Sequence, residues 1–327
     1  MITTQQLEKA QETFDNLQDS IKTVIVGHHR VIDASLITLL CAGNLLLEGV
    51  PGLGKTLLVR ALASALDLRF SRIQFTPDLM PADIVGTDII IEDAGKRSFT
   101  FSPGPVFANI VLADEINRAT PKTQSALLEA MEERTVSVGR QSYSLEEPFI
   151  VLATQNPIEM EGTYPLPEAQ VDRFLLKAEV GYPSLAELVD IAELNTEEKP
   201  LQLPAPIATG QQVIEARQVV REIPIAEKLR EYIGRLVLAT HPDQASAPTS
   251  VKDYVEYGAS PRAAIAAIMA AKAHAFLKGE PNVRHEDIEA IFQEVFPHRV
   301  ILNFKGEAEG VKVSDLLAAV WKETPVI

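Results

Sequence analysis

Residues 49–56 read Gly49-Val50-Pro51-Gly52-Leu53-Gly54-Lys55-Thr56, and this stretch is the strongest indication of the fold class. It fits the pattern G-x-x-x-x-G-K-[ST] of a phosphate-binding loop. The short apolar stretch 44–48 before it is typical of a buried strand, and residues 57–63 after it favour a helix. Glycine N–H groups and a helix N-terminus can together hold phosphate oxygens. The sequence therefore predicts a nucleotide site in which Lys55 contacts the β- and γ-phosphates and Thr56 ligates Mg²⁺.

Charge and composition narrow the possible functions. The chain has 327 residues and a net charge of −15, which suggests about two domains and disfavours binding to nucleic acid or anionic membranes. The single cysteine, Cys41, lies in an apolar stretch, is typical of a small core residue and excludes a disulfide within the chain. The polar N-terminus has no signal core, and polar residues interrupt the most apolar region, 31–50. We expect a cytoplasmic protein with no membrane span.

Short apolar stretches alternate with helical patterns in the first part of the chain. They lie at 44–48, 70–75, 109–113, 149–154 and 174–178. This alternation predicts an α/β fold, with a mostly parallel five-stranded sheet and helices on both of its faces. After residue 181 the patterns are almost all helical. We therefore expect a nucleotide-binding α/β domain at 1–181 and a smaller all-helical domain at 182–327.

Polar side chains follow two of the predicted strands. Asp114 and Glu115 come directly after 109–113, and Asn156 follows 149–154. Because parallel strands bring their carboxyl ends to one crevice, these residues should meet the phosphate loop there. Asp114 can hold Mg²⁺ directly or through water, and Glu115 can polarise the attacking water as general base. Asn156 can orient that water or the γ-phosphate, or it can simply cap a turn.

The order of these motifs resembles that of the AAA+ ATPases, and of the MoxR family in particular. The stretches that carry the resemblance cover nearly the whole chain and lie at 49–56, 114–119, 153–157, 166–174 and 256–263. The resemblance implies an αβα sandwich of the AAA+ P-loop NTPase type, followed by a helical lid domain. It also implies that the nucleotide is ATP, that Mg²⁺ is the cofactor, and that ATP is hydrolysed.

The resemblance assigns further site residues. Asn156 resembles the sensor 1 residue, and Arg262 resembles the sensor 2 residue, which contacts the γ-phosphate within the same subunit. The adenine base would pack on the stretch upstream of the phosphate loop, here 24–28. The nucleotide-binding residues implied in this way are Ile25, Val26, Gly27, Gly49, Val50, Pro51, Gly52, Leu53, Gly54, Lys55, Thr56 and Leu57.

Arg173 resembles the arginine finger, which in AAA+ proteins reaches the ATP of a neighbouring subunit. A guanidinium group there would stabilise charge on the transferring phosphoryl oxygens. Two alternatives stay open at this point. Arg173 can instead pair with Asp172 or Glu168 of its own chain, and Arg118 is a second candidate for the contact between subunits.

Two hairpins are expected beside this site. The first lies within 83–104, where Ile89–Glu92 and Ser98–Phe101 flank a turn, and the second lies within 134–148. They resemble the insert in helix 2 of one AAA+ subgroup and the hairpin before sensor 1. In relatives such elements line the pore or face of the ring. A purely structural role as edge hairpins is the alternative.

The resemblance implies a chaperone-like ATPase that remodels protein clients. It would work as a ring, a hexamer, with a partner that carries a von Willebrand factor A domain. A nucleotide-dependent binding switch with little turnover is one alternative. A nucleic-acid motor is another, which the acidic charge and the lack of a basic stretch interleaved with aromatic residues disfavour. Neither the client nor the identity of the partner follows from the sequence.

Overall fold

Five parallel strands form the central sheet of the computed structural model, which describes residues 4–93, 96–139, 141–156, 162–196 and 202–326. The strands of the chain are β1 (Leu45–Glu48), β2 (Phe70–Gln74), β3 (Gly86–Asp93), β4 (Lys96–Pro103), β5 (Ile110–Asp114), β6 (Thr135–Val138), β7 (Gln141–Ser144), β8 (Ile150–Gln155), β9 (Leu176–Glu179), β10 (Val255–Tyr257) and β11 (Ile301–Leu302). The central sheet has the order β2-β5-β8-β1-β9, with parallel neighbours throughout. Its strands coincide with the five predicted apolar stretches, which confirms the predicted α/β sheet.

Helices dominate the chain after β9. In chain order the helices are α1 (Thr4–Lys22), α2 (His29–Leu40), α3 (Lys55–Ala65), α4 (Pro81–Val85), α5 (Pro121–Glu133), α6 (Glu168–Val171), α7 (Leu185–Thr196), α8 (Gly210–Glu222), α9 (Glu227–Ala239), α10 (Thr249–Tyr254), α11 (Pro261–Leu277), α12 (His285–Val295), α13 (Phe304–Ala308) and α14 (Val313–Glu323). The predicted helical second part is confirmed, with one addition: β10 and β11 form a short antiparallel pair within it. Among the described residues, no helix combines the length and hydrophobicity that crossing a membrane needs.

The apolar residues of the sheet divide between its two faces. On β5, Ile110 and Leu112 belong to the cluster formed with α1, α2 and α3, whereas Val111 and Ala113 belong to the cluster formed with α5. This division follows from the alternation of side chains along a strand. The first cluster continues into α8, α9, α11, α12 and α14. The apolar core is therefore continuous across residue 182.

The two ends of the sheet carry different parts of the predicted site. The loop at 49–54 follows the carboxyl end of β1. Residues 166–174 lead into the amino end of β9, where the Leu175 N–H donates to the Asn44 carbonyl at 2.8 Å. Because β1 and β9 are paired in parallel, the length of β1 separates the two ends. At about 3.3 Å per residue, its four residues span about 13 Å.

Two antiparallel hairpins project from the α/β part, β3 with β4 and β6 with β7. The turns between their strands include residues 94, 95 and 140, which lie outside the described residues. The hairpins pack on each other through the stacked rings of Phe101 and Tyr143, whose centroids are 4.0 Å apart. Nearer the tip of the first hairpin, Ile90 and Phe99 pair across the strands and are exposed.

Candidate functional site

The loop between β1 and α3 needs its glycines for two different reasons. Gly52 and Gly54 have φ of 87° and 75°, in the left-handed region that favours glycine, although a Cβ at either would meet no atom within 4 Å. A Cβ at Gly49 would instead lie 2.6 Å from the Val180 carbonyl oxygen. Gly54 is also the N-cap of α3, so the loop leads directly into a helix N-terminus, which favours anions.

Lys55, the first residue of α3, turns back over the loop. Its Nζ donates to the Gly49 carbonyl oxygen at 2.6 Å. Burial lowers the pKa of the Lys55 amine, and the nearby carboxylates of Asp114, Glu115 and Glu48 partly oppose that shift. The ammonium group therefore lies near three carboxylates. A phosphate oxygen could replace its contact with the Gly49 carbonyl by a stronger, charge-assisted hydrogen bond.

Asp114, at the carboxyl end of β5, is held by two neighbouring strands. Its Oδ1 accepts a hydrogen bond from Thr154 Oγ1 at 2.6 Å, and its Oδ2 accepts from Arg72 Nη2 at 2.7 Å. Sequence reasoning missed Arg72 and Thr154. The signal available for Arg72 was weak: it alternates with Gln74 on β2, whose register places Gln74 opposite Asp114.

Glu115 is fixed in position from both its backbone and its side chain. Its φ of 58° lies in the left-handed region, and its N–H donates to Thr154 Oγ1 at 2.8 Å. Its Oε2 accepts from Gln74 Nε2 at 2.7 Å and pairs with Arg118 Nε at 3.2 Å. Arg118, the alternative candidate for the contact between subunits, therefore lies beside Glu115 of its own chain.

The structure brings Lys55, Thr56, Asp114, Glu115 and Asn156 together in one cleft. This cleft has a volume of about 360 Å³. Asn156, which is buried at the end of β8, also lines it, whereas the Pro157 that follows lies outside the described residues. The lining residues are Gly49, Pro51, Gly52, Leu53, Gly54, Lys55, Thr56, Leu57, Arg72, Asp114, Glu115, Thr154 and Asn156.

A second cleft of about 390 Å³ opens on the other side of the same loop and is largely apolar. Ile25 and Val26, two of the residues expected near the base, line it. Gly27, the third of those residues, is not among the described residues that line this cleft. Gly27 has φ of 69° and packs so closely against the Glu187 side chain that a Cβ there would collide with it. Because both clefts share residues 51–55, a nucleotide could place its base in one and its phosphates in the other.

Helix α7 forms the far wall of the apolar cleft, which the sequence analysis did not anticipate. Its contribution comes from Leu188, Ile191 and Leu194. The spacing of three residues puts these side chains on one face of a helix, so the pattern was present in the sequence. What the pattern could not show is which surface that face would meet.

Arg173 and Arg262 lie away from this cleft. Arg173 precedes β9, and its Nη1 pairs with Glu132 Oε2 at 2.6 Å. Arg262 Nη2 donates to the other oxygen, Glu132 Oε1, at 3.2 Å. Neither arginine is among the described residues that line the cleft. The expectation that Arg262 contacts the γ-phosphate of its own subunit does not fit this arrangement, because its ion pair with Glu132 holds it at the opposite end of the sheet.

Asp172, which the sequence offered as a partner for Arg173, instead anchors the helical part. Its Oδ1 accepts from Arg299 Nε at 2.8 Å, and its Oδ2 accepts from Ser260 Oγ at 2.9 Å. Burial lowers the pKa of Arg299 to about 10, against the opposing effect of Asp172. Since Ser260 is the N-cap of α11, these bonds fix the start of that helix, and with it Arg262.

Comparison with known protein families agrees with this geometry. A family model described as ATPase family associated with various cellular activities (AAA) matches residues 44–176. A second model, described as AAA lid domain, matches residues 247–320. The first match contains β1 to the start of β9 and thus the phosphate loop. The second contains α10 to most of α14.

Individual relatives match over most of the chain. The chain is 43% identical to the protein YeaC of Bacillus subtilis, over 92% of each chain. It is 43% identical to Chaperone MoxR1 of Mycobacterium tuberculosis, over 89% of this chain and 76% of the relative. It is 33% identical to Protein MoxR of Paracoccus denitrificans, over 89% of each. A crystal structure described as that of a putative ATPase from Cytophaga hutchinsonii superposes with a TM-score of 0.92 at 40% identity, covering 99% of this chain and 97% of that one.

Proposed function

Because this chain belongs to the MoxR family of AAA+ ATPases, we propose that it hydrolyses ATP to drive conformational remodelling of protein clients. One observation carries the proposal. The cleft at the carboxyl end of the sheet gathers an ammonium group, a hydroxyl group, two carboxylates and a buried amide around a glycine loop. Such a set can bind a triphosphate and activate a water molecule against it.

Each residue has a distinct part in the proposed reaction. Lys55 exchanges its bond to the Gly49 carbonyl for the β- and γ-phosphate oxygens. Glu115, held by Gln74, takes the proton of the attacking water as that water's oxygen bonds to the γ-phosphorus. The bond from phosphorus to the β–γ bridging oxygen breaks, which gives ADP and phosphate. Asn156 orients the water or the γ-phosphate from the end of β8.

The residues present also fit Mg²⁺. Magnesium prefers oxygen ligands, and the Thr56 hydroxyl and the Asp114 carboxylate both line the cleft beside the loop. Thr154 and Arg72 fix the orientation of that carboxylate before any ligand arrives. When bound, Mg²⁺ would neutralise charge on the phosphate oxygens.

Replacement of Glu115 by glutamine tests the proposed chemistry. We expect Glu115→Gln to keep ATP affinity within about threefold and to lower kcat by about 100-fold or more, because general-base catalysis contributes that order. Steady-state hydrolysis and equilibrium ATP binding measure the two quantities. Glu289→Gln, an exposed carboxylate on α12, is the control and should behave as wild type. Unchanged turnover in Glu115→Gln would exclude Glu115 as the base.

The same experiment separates the proposal from a nucleotide-dependent switch. A switch would show ATP-dependent binding of a client with negligible turnover of the wild-type protein. Stimulation of wild-type turnover by a client would support the remodelling ATPase.

A ring of subunits, a hexamer, forms part of the proposal. Arg173 precedes the amino end of β9 and Arg262 pairs with the same carboxylate, whereas the phosphate loop follows the carboxyl end of β1. Neither arginine lines the cleft of its own chain, so neither serves that chain's nucleotide in this arrangement. We propose that both reach the ATP of the neighbouring subunit, where their guanidinium groups stabilise charge on the transferring phosphoryl group.

The nature of the client and of the partner is the least constrained part of the proposal. We propose protein clients, a cytoplasmic location and a partner with a von Willebrand factor A domain, as family membership suggests. Affinity capture with Glu115→Gln in ATP should retain such proteins. Lys55→Ala, which should bind ATP more weakly, is the matched control and should retain less at the same ATP concentration. Capture of nucleic acid instead would point to a nucleic-acid motor.

A further inference from the structure

One carboxylate, that of Glu132, is bound by both arginines of the far edge. Its two oxygens are divided between them: Oε2 pairs with Arg173 Nη1 at 2.6 Å, and Oε1 accepts from Arg262 Nη2 at 3.2 Å. Arg173 comes from the segment before β9, whereas Arg262 comes from the first turn of α11. Glu132, near the end of α5, therefore sets the distance between two side chains that reach it from different parts of the chain.

Asp172 cannot replace Glu132 in this role. Both of its oxygens are already engaged, one by the buried Arg299 and the other by Ser260. The nearest approach of Arg262 to Asp172 is 3.8 Å, longer than a hydrogen bond. Arg262 thus depends on Glu132 for its short contact to a carboxylate.

The position of Glu132 on its helix suits two cations. It lies in the last turn of α5, where the helix dipole adds negative potential. Arg173 Nη1 uses the same helix end, since it also donates to the Leu128 carbonyl at 3.3 Å. Because both guanidinium groups contact the same carboxylate, they lie close together, and without that anion they would repel each other and occupy wider ranges of rotamers.

These groups are partly exposed, so the network contributes little to overall stability. Glu132 is 38% exposed and Arg262 is 51% exposed, and ion pairs of such groups contribute modestly to folding. Their effect on geometry is a separate matter, since a catalytic contact depends on position to within about 1 Å. An interaction that adds little to folding can therefore still control a rate.

We propose that Glu132 is a positioning residue that holds Arg173 and Arg262 side by side, so that both guanidinium groups reach the neighbouring subunit's phosphates together. The inference rests on the proposed function of these arginines across the subunit interface. Glu132 itself does not touch the nucleotide, and its effect passes through the two arginines to the adjacent site.

Variants at residue 132 and its neighbour separate this role from a structural one. Glutamine at 132 keeps the shape but loses the charge and one acceptor oxygen, so we expect Glu132→Gln to lower kcat about tenfold. The KM for ATP should change less than about twofold, because the two arginines are proposed to stabilise charge that develops in the transition state. Glu132→Asp keeps the charge and should give an intermediate kcat. Glu133→Gln, on the same helix turn, should match wild type.

Mixed assemblies then show in which subunit Glu132 acts. Subunits with Glu132→Gln retain Glu115, and subunits with Glu115→Gln retain well-placed arginines. In a mixed ring, the second kind should supply its arginines to the first kind. We expect turnover above the sum of the two separate preparations. Thermal unfolding of Glu132→Gln should stay close to that of wild type.

The outcomes distinguish the inference from the proposed function. A wild-type protein that does not hydrolyse ATP overturns both. Wild-type turnover with an unchanged kcat in Glu132→Gln overturns the inference alone. A lowered kcat that is not rescued in proven mixed assemblies also overturns it, because Glu132 would then act within its own chain.

Discussion

At the scale of single residues, the position of Lys55 suits the proposed binding of phosphate by the loop. Its ammonium group is partly buried, which lowers its pKa, and three carboxylates nearby favour its charged form. Its one hydrogen bond goes to the Gly49 carbonyl in the loop itself. The side chain is thus already folded over the loop, and binding a nucleotide requires only an exchange of acceptors.

Removal of this amine should weaken nucleotide binding. We expect Lys55→Ala to lower ATP affinity by about 10- to 100-fold, the value of one or two charge-assisted hydrogen bonds. Isothermal titration or fluorescence of a labelled nucleotide would measure it. Lys228→Ala, at an exposed position of α9, is the control. Equal affinities in the wild type and Lys55→Ala would refute the assignment of residues 49–56 as a phosphate loop.

At the scale of elements, α7 connects the nucleotide site to the helical part of the chain. It follows the sheet directly after β9, and one of its faces forms a wall of the apolar cleft beside the phosphate loop. Its first turn is fixed by Ser184 and Glu187, which exchange side-chain and backbone hydrogen bonds in a capping box. A base in this cleft would therefore contact a helix whose start is well anchored.

Two neighbouring positions on α7 test whether the base lies there. Leu188 lines the cleft and is 45% exposed, whereas Val189 does not line it and is 49% exposed. We expect Leu188→Ala to weaken the binding of ATP and ADP alike by about fivefold, through lost apolar contact with the base. Val189→Ala should leave both affinities within about twofold. A loss confined to ATP would place Leu188 near the γ-phosphate and not near the base.

At the scale of the whole molecule, the sheet separates the two halves of the site that we propose. Its carboxyl end carries Lys55, Asp114 and Glu115, and its amino end leads to Arg173. One chain presents both halves but cannot join them across about 13 Å of β1. Subunits arranged head to tail would bring the amino end of one sheet to the carboxyl end of the next, and such heterologous contacts form a ring when the rotation between subunits closes.

Complementation between inactive subunits tests this arrangement. Arg173→Ala subunits keep a complete carboxyl-end cleft, and Glu115→Gln subunits keep their arginine. Each preparation alone should be nearly inactive, and a mixture should recover a measurable part of wild-type turnover. Arg235→Ala, on α9, is the control. A mixture of Arg235→Ala with Glu115→Gln subunits should show no more activity than the Arg235→Ala subunits that it contains. Absence of recovery in mixtures shown to co-assemble would mean that Arg173 acts within its own chain or not at all.

The strands of the sheet and the residues of the cleft at its carboxyl end could be predicted from the sequence alone. The five strands follow from apolar runs of the right length, and the loop at 49–56 follows from the pattern G-x-x-x-x-G-K-[ST] between a strand and a helix. Asp114, Glu115 and Asn156 could be placed in the cleft because parallel strands end at one edge. Each of these inferences uses contacts near in sequence, or a rule that holds for every parallel sheet.

The surroundings of that cleft and the contacts at the other end of the sheet become visible only in the three-dimensional structure. The contacts that the sequence did not predict join side chains far apart in the chain. They are the bond of Arg72 to Asp114, the packing of α7 against the apolar cleft, and the pairing of Glu132 with two arginines. Periodicity does not encode which partner each side chain meets. The contact of Arg72 depends on the pairing of β2 with β5, and that of Arg262 depends on how the helical part docks through Asp172 and Arg299. That docking placed Arg262 beside Arg173 and away from its own phosphate loop, since the angle between packed layers is set by the whole core and not by any one stretch.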